Sequence, residues 1–241
     1  MLANHEIDRA LVIVAHPDDA EFWAGGTIAT WTDAGVIVTY CVMTDGETGG
    51  YDASLPREDM PSIRRAEQQQ AAALLGVQDV HFFGLVEGDL RVQLGDRQLS
   101  QELVRLIRRV RPQRIITWSP EWNWQRFRSC HTDHRATGEL VLSAIYPDAG
   151  NQFAHPSLRD EGLEAWTVLE AWLINSPHVN HYVDITDVFE RKVAAVRFHK
   201  SQTGNRHDLI AELRERIATN TAAAGLPADR LAEGFQVVVT A

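Results

Sequence analysis

The chain has 241 residues, of which 44% are hydrophobic, and its 33 acidic and 23 basic residues give a net charge of −10. That size and composition suit one sizeable α/β domain, so we expect residues 1–241 to fold as a single domain. The negative charge repels phosphate backbones and argues against nucleic acid as a partner. No apolar run approaches the ~18 residues of a membrane span, and the polar N-terminus lacks the layout of a signal peptide.

Short apolar runs alternate with helical patterns over the first two thirds of the chain. The predicted strands here are Ala10–Ala15, Val36–Met43, Asp79–Phe83 and Arg114–Trp118. The predicted helices are Glu21–Ala34, Ser62–Leu75, Leu99–Val110 and His131–Ile145. Strand–helix alternation of this kind predicts an α/β fold with a Rossmann-like, mostly parallel sheet and helices on both faces.

The pattern changes after Tyr146, where a loop of about twenty residues is predicted. The elements expected beyond it are the apolar segments Ala165–Ile174 and Tyr182–Ile185, helices over Asp187–Lys200 and His207–Ala223, and an edge strand or tail at Phe235–Val239.

The two cysteines, Cys41 and Cys130, lie far apart and form no CxxC motif. This usage is typical of a reducing compartment and predicts a cytoplasmic protein. Cys130 adjoins a histidine cluster, but we interpret it as a small buried residue rather than as a metal ligand.

Three polar segments follow predicted strands: AHPDD after the first, TDGETGG after the second and SPEWNWQRFRSCHTDH after the fourth. In an open α/β sheet, ligands bind beyond the carboxyl ends of the strands. The convergence of the three segments at one sheet edge therefore favours a functional site over unrelated turns.

The first segment places His16, Asp18 and Asp19 around Pro17, which stiffens the turn. Adjacent carboxylates repel each other unless a cation is present or one of them takes a proton. A divalent metal would keep both ionised, one as ligand and one as base. The alternative is that Asp18 or Asp19 only caps the following helix.

The third segment contains His131 and His134, which share one helical face at i and i+3. Both histidines could bind one metal, or one could bind while the other faces the substrate; Asp133 could orient a histidine. The alternative is a solvent-facing pair with Asp133 as N-cap. Zn²⁺ commonly takes three such protein ligands and leaves a place for water, and His16, Asp19 and His134 supply such a set. Asp18 and His131 then remain for proton transfer and charge stabilisation.

These motifs together resemble the LmbE/PIG-L group of zinc-dependent N-deacetylases. The resemblance rests on AHPDDAE, on Gly25-Gly26-Thr27, on Thr44-Asp-Gly-Glu47, on Arg64-Arg-Ala-Glu67, and on His131-Thr-Asp-His134, in family order over nearly the whole chain. Weaker matches are Val183-Asp-Ile-Thr186 and His199-Lys-Ser-Gln202.

The resemblance implies His16, Asp19 and His134 as ligands of Zn²⁺ or another divalent cation such as Fe²⁺. It implies Asp18 as the general base, and His131, oriented by Asp133, as the group that stabilises the oxyanion or protonates the leaving amine. Arg64 matches a family arginine expected to contact a sugar, although helix arginines usually face solvent. His199 matches a family position, but packing is the better interpretation.

The expected activity is hydrolysis of an N-acetyl amide on an N-acetylglucosamine-type sugar or small metabolite. The alternatives are an amidase for a thiol conjugate or natural-product scaffold, and a metal-binding protein without catalysis. Trp122 and Trp124 are interpreted equally well as a stacking surface for substrate or as loop anchors. We expect a small N-acyl substrate, no membrane partner and homo-oligomer formation.

Overall fold

The computed structural model describes all 241 residues and contains one seven-stranded sheet of order β3-β2-β1-β4-β5-β7-β6. The strands are β1 (Arg9–Val14), β2 (Ile37–Thr44), β3 (Asp79–Leu85), β4 (Arg114–Trp118), β5 (Glu170–Ile174), β6 (His181–Asp184) and β7 (Ala232–Val239). Strands β1 to β5 run parallel, whereas β7 is antiparallel to both of its neighbours, β5 and β6. The predicted mostly parallel sheet is confirmed.

The helices are α1 (Asp19–Asp33), α2 (Met60–Leu74), α3 (Arg97–Val110), α4 (Thr132–Ser143), α5 (Pro156–Asp160), α6 (Phe189–Phe198), α7 (Lys200–Thr203) and α8 (Leu209–Ala223). None of them combines the length and apolar character that crossing a bilayer requires.

The side chains of β1 enter two separate cores, one on each face of the sheet. Ala10, Val12 and Val14 pack with residues of α1 and α2. Leu11 and Ile13 pack with residues of α3 and α4. Because alternate strand residues point to opposite faces, an unbroken apolar run is what a strand covered on both sides requires.

The C-terminal third departs from the sequence-based expectations in three places. Only Glu170–Ile174 of the apolar segment Ala165–Ile174 forms a strand. The predicted helix Asp187–Lys200 ends at Phe198, and a second short helix starts at Lys200. The final strand is neither an edge strand nor a tail, because β6 forms the edge and β7 lies inside the sheet.

Helix starts also shift by a few residues from their predicted positions. Helix α1 begins at Asp19 rather than Glu21, and α2 begins at Met60 rather than at the expected cap Ser62. Asp96 caps α3, since its carboxylate accepts the N–H groups of Gln98 and Leu99. Such caps satisfy donors that a hydrophobic pattern cannot reveal.

Candidate active site

The turn between β1 and α1 carries His16, Asp18 and Asp19. Asp18 occupies the N-cap position with a φ of 103°, but its side chain makes no capping hydrogen bond. Left-handed backbone is rare for residues other than glycine, and it concentrates at functional sites. The Asp19 carboxylate instead accepts hydrogen bonds from the His16 N–H, at 2.9 Å, and from Trp118 Nε1, at 3.1 Å. The simple capping interpretation of this acidic pair is therefore not what the structure shows.

The first turn of α4 supplies His131, Asp133 and His134. His131, rather than Asp133, is the N-cap, and its Nδ1 accepts the Asp133 N–H at 3.2 Å. His134 Nδ1 donates to the Ser129 carbonyl at 2.9 Å, which leaves Nε2 with a free lone pair. The ring of Trp118 stacks on His134 at a centroid distance of 3.6 Å and fixes its plane.

Three donor groups from the two segments meet at one point. His134 Nε2 lies 3.1 Å from His16 Nδ1 and 3.3 Å from Asp19 Oδ1, while His16 Nδ1 lies 3.6 Å from Asp19 Oδ2. Ligand atoms held at about 2.1 Å around a tetrahedral zinc ion would be roughly 3.4 Å apart. The residues present thus fit a zinc ion, or Fe²⁺, held by two imidazoles and a carboxylate.

The other side of His16 faces further negative charge. Its buried Nε2 has no well-formed hydrogen bond and lies 3.4 Å from Asp133 and 3.8 Å from Glu87. Burial lowers the pKa of His16, but Asp133, Asp19 and Glu87 together raise it to about 10. Three carboxylates around one imidazole form a strongly negative pocket, which suits a cation.

Asp133 contacts His16 more closely than His131. Its Oδ2 is 3.9 Å from His131 Nδ1, against 3.4 Å from His16 Nε2, and it accepts the Gly88 N–H at 2.6 Å. The Asp133 carboxylate therefore faces the predicted metal ligand His16, on the side away from the other ligands. The backbone N–H of Asp133, and not its carboxylate, orients His131.

Asp18 is held beside this centre by two side chains of α2. Gln68 Oε1 accepts the Asp18 N–H at 2.9 Å, and Arg64 Nη2 lies 3.3 Å from Asp18 Oδ2. Burial raises the pKa of the Asp18 carboxyl, although Arg64 acts against this shift. Burial would also raise the pKa of Asp19, but the charges of His134 and His16 hold it well below its usual value. The adjacent carboxylates thus have different surroundings, because Asp18 faces Arg64 and Asp19 faces the two histidines.

His131 is suited to donate a hydrogen bond as a neutral imidazole. Burial, followed by the nearby charges of His16 and His134, lowers its pKa. Since its Nδ1 already accepts a hydrogen bond, the proton resides on Nε2.

Arg64 is not a surface arginine. It is 3% exposed, and it donates to the Gly46 carbonyl and, through Nη2, to the Pro17 carbonyl. Gly46 has a φ of 61°, and a Cβ there would lie 2.1 Å from Arg64 Nη1. Arg64 thus connects the TDGETGG loop to the turn that carries Asp18 through hydrogen bonds. Its contact with a sugar stays a prediction.

Sequence reasoning missed Trp118, Gln68 and Glu87. Glu87 lies two residues beyond the end of β3, so the expectation that polar residues after the strand ends form the site extends to it as well. Gln68 follows Arg64 by four residues and lies on the same face of α2, so a site role for Arg64 also indicates one for Gln68. Trp118 ends β4, next to β1, but nothing in the sequence distinguishes its ring from ordinary core.

The remaining candidates separate into exposed and buried side chains. Trp122 and Trp124 stack on each other at 5.1 Å and are 38% and 72% exposed. Cys130 is buried and contacts Asn123, as expected for a small packed residue. His199 is fully buried against Glu21 at 3.1 Å, which favours the packing interpretation.

The chain is similar to several proteins that are named as deacetylases. A diacetylchitobiose deacetylase of Thermococcus kodakarensis is 32% identical over 198 residues, covering 82% of this chain and 71% of that protein. A probable N-acetyl-alpha-D-glucosaminyl L-malate deacetylase 2 of Bacillus cereus is 33% identical over 200 residues, covering 81% of this chain and 84% of that protein. The structure of N,N'-diacetylchitobiose deacetylase from Pyrococcus horikoshii matches with a TM-score of 0.86 at 29% identity, over 98% of this chain and 85% of that one.

These likenesses define a hydrolytic deacetylase built on a Rossmann-like sheet. The chain belongs to the PIG-L family, described as GlcNAc-PI de-N-acetylase, which matches residues 11–145. That range contains both the turn after β1 and the first turn of α4, so the family resemblance read from the sequence is confirmed.

Proposed function

We propose that this protein is a metal-dependent deacetylase that hydrolyses the N-acetyl amide of an N-acetylglucosamine-type sugar or small conjugate, releasing acetate and a free amine. The observation that carries the proposal is the convergence of His16, Asp19 and His134 within 3.1 to 3.6 Å, with Asp18 and His131 beside them. The names of the relatives support the acetylated amino sugar as substrate class.

A zinc ion held by those three residues would polarise the amide carbonyl and lower the pKa of a bound water towards ~7. Asp18 takes the proton of the attacking water, a role suited to a buried carboxylate whose pKa is raised. His131, as a neutral imidazole, donates a hydrogen bond from Nε2–H to the developing oxyanion, and the proton that Asp18 took from the water passes to the leaving nitrogen as the C–N bond breaks. Gln68 and Arg64 hold Asp18 in position throughout.

The test is acetate release by zinc-loaded protein from N,N'-diacetylchitobiose and other N-acetylglucosaminides, with longer N-acyl sugars and thiol conjugates assayed in parallel. Asp18→Asn should retain bound metal and lose about 10²- to 10⁴-fold in turnover, the usual contribution of a general base. Asp187→Asn, at an exposed position, is the matched control and should keep full activity. Bound zinc without acetate release from any substrate would contradict the proposal.

The compartment and the assembly state stay predictions. Both cysteines are free and buried, which agrees with a reducing cytoplasm. We propose a small N-acyl compound as the partner of the site, and homo-oligomer formation is open to measurement by light scattering.

A further inference from the structure

A cavity of about 390 Å³ lies beside the candidate active site, between α1, the loop after β4 and α8. Trp23 forms part of its wall and packs edge-on against Trp118 at 5.2 Å, and Trp118 in turn stacks on His134. Phe22, also in the wall, is one helical turn beyond Asp18. The cavity therefore adjoins the site through Trp23 and Phe22, whereas the proposed metal ligands lie outside its wall.

Two arginines, Arg126 and Arg216, line the cavity, and the one carboxylate in its wall, that of Glu233, is buried and pairs with Lys192 instead. Neither forms an ion pair, although both are half-buried. Arg126 donates one side-chain hydrogen bond, to the Arg216 carbonyl at 3.2 Å, and the Arg216 guanidinium donates none. Both pack over the ring of Trp23, with Arg216 at 4.6 Å and Arg126 at 5.9 Å from its centroid.

The surroundings make these cations unfavourable in the absence of an anion. Burial lowers the pKa of Arg126, and burial together with the charges of Arg126 and Arg206 lowers that of Arg216, although the charges of Asp18 and Glu212 act against this shift. Partly desolvated charges normally find partners.

The well-buried arginines elsewhere in this chain have such partners. Arg64 faces Asp18, Arg114 pairs with Glu170, and Arg108 donates to several backbone carbonyls. In a chain with a net charge of −10, two half-buried guanidinium groups that lack such partners are a notable exception.

We infer that Arg126 and Arg216 form a subsite for an anionic group, a carboxylate or a phosphate, carried by the part of the substrate attached to the amino sugar. This inference rests on the proposed function and narrows its substrate class to acidic conjugates. Guanidinium groups bind carboxylates and phosphates through paired, charge-assisted hydrogen bonds, so these residues select for the charge rather than for the sugar. Trp23 holds both side chains on one wall, which preorganises the pair.

The test compares kcat/KM for an N-acetylglucosaminyl L-malate, N-acetylglucosamine 1-phosphate and neutral N,N'-diacetylchitobiose, using zinc-loaded wild type, Arg126→Gln and Arg216→Gln. The preference for an acidic over the neutral substrate should fall about tenfold or more in each Gln variant, mainly through KM. Arg216→Lys should retain part of the preference because it keeps the charge. Arg214→Gln, on the same helix but outside the cavity, is the matched control. The two acidic substrates distinguish a carboxylate site from a phosphate site.

A Gln variant that loses activity equally on acidic and neutral substrates would overturn the subsite while leaving the deacetylase function intact. No acetate release by the wild type from any of the three compounds would overturn the proposed function itself, so the two failures are distinguishable. Thermal melting of each variant checks that it is folded.

Discussion

At the scale of single residues, Trp118 supports the proposed metal site although it belongs to none of the sequence motifs that point to that site. It contacts two of the three proposed ligands, through a hydrogen bond to Asp19 and a stacked ring on His134. Groups that orient metal ligands in this way typically contribute 10- to 100-fold in metal affinity. A hydrophobic residue at a strand end can thus belong to the chemistry of a site.

Trp118→Phe should weaken zinc binding by about tenfold or more, because it keeps most of the ring contact but removes the hydrogen bond to Asp19. Competition with a chelator of known affinity measures the change. Trp172→Phe is the control, since Trp172 is equally buried and also donates to a carboxylate, that of Glu170, away from the site. Equal zinc affinity in both variants would show that the Trp118 hydrogen bond does not matter.

At the scale of elements, the approach of α4 to β4 places His131 and His134. Gly138 of α4 lies so close to the strand that a Cβ would be 2.2 Å from the Trp118 carbonyl oxygen. Only glycine allows this contact, and any side chain must push the helix away from the sheet. The position of the histidines therefore depends on a residue without chemistry of its own.

Gly138→Ala should lower the free energy of unfolding by about 1–3 kcal/mol and weaken zinc binding, because the overpacked helix carries His134 away from His16. Denaturant titration and chelator competition report the two effects. Gly95→Ala has no atom within 4 Å of the added Cβ and should change neither quantity. If Gly138→Ala proves as harmless as that control, α4 can shift without cost.

Helix α1 is anchored to β7 through a buried carboxylate. Glu233 accepts the Gly26 N–H at 3.0 Å, the Thr27 N–H at 2.7 Å and the Thr27 hydroxyl at 2.6 Å, and it pairs with the fully buried Lys192 at 2.6 Å. Within the Gly25-Gly26-Thr27 motif, Gly26 and Thr27 thus donate to this acid, and a Cβ at Gly26 would lie 2.6 Å from the side chain of Ile185.

Glu233→Ala should cost about 3–5 kcal/mol of unfolding free energy, because it leaves the Lys192 ammonium buried without its counter-charge. The exposed pair of Asp33 and Arg191 gives the comparison, and Asp33→Ala should cost less than about 1 kcal/mol. Denaturant unfolding of the two variants side by side measures the difference. Equal costs would mean that the buried pair contributes no more than a surface one.

At the scale of the whole molecule, the zinc site should couple to stability, since an ion that binds only the folded state stabilises it by mass action. Free zinc at about 100 times its dissociation constant should add about 2.7 kcal/mol, or roughly 5–10 °C in melting temperature for a chain of this size. Melting with zinc and with EDTA measures the shift, and Asp19→Asn should abolish most of it. A shift that survives in Asp19→Asn would place the binding elsewhere.

The sequence predicted the parallel half of the molecule well because its strands are buried on both faces. Continuous apolar runs such as Ala10–Val14, followed by polar turns, leave few alternatives for the fold or for the sheet edge that holds the site. The place of β7 was not predictable, because a strand's neighbours in the sheet depend on long-range pairing rather than on its own pattern. For the same reason the unpaired charge of Arg216 became visible only when its neighbours were known.

The backbone of Asp18 decides how an inactive form of this protein is best made. At a φ of 103°, alanine would be strained, and its loss of activity would combine a missing carboxylate with a distorted turn. Asparagine tolerates left-handed backbone and has nearly the same shape. Asp18→Asn is therefore the variant for trapping an uncleaved substrate for crystallography, because it removes the base and keeps the loop.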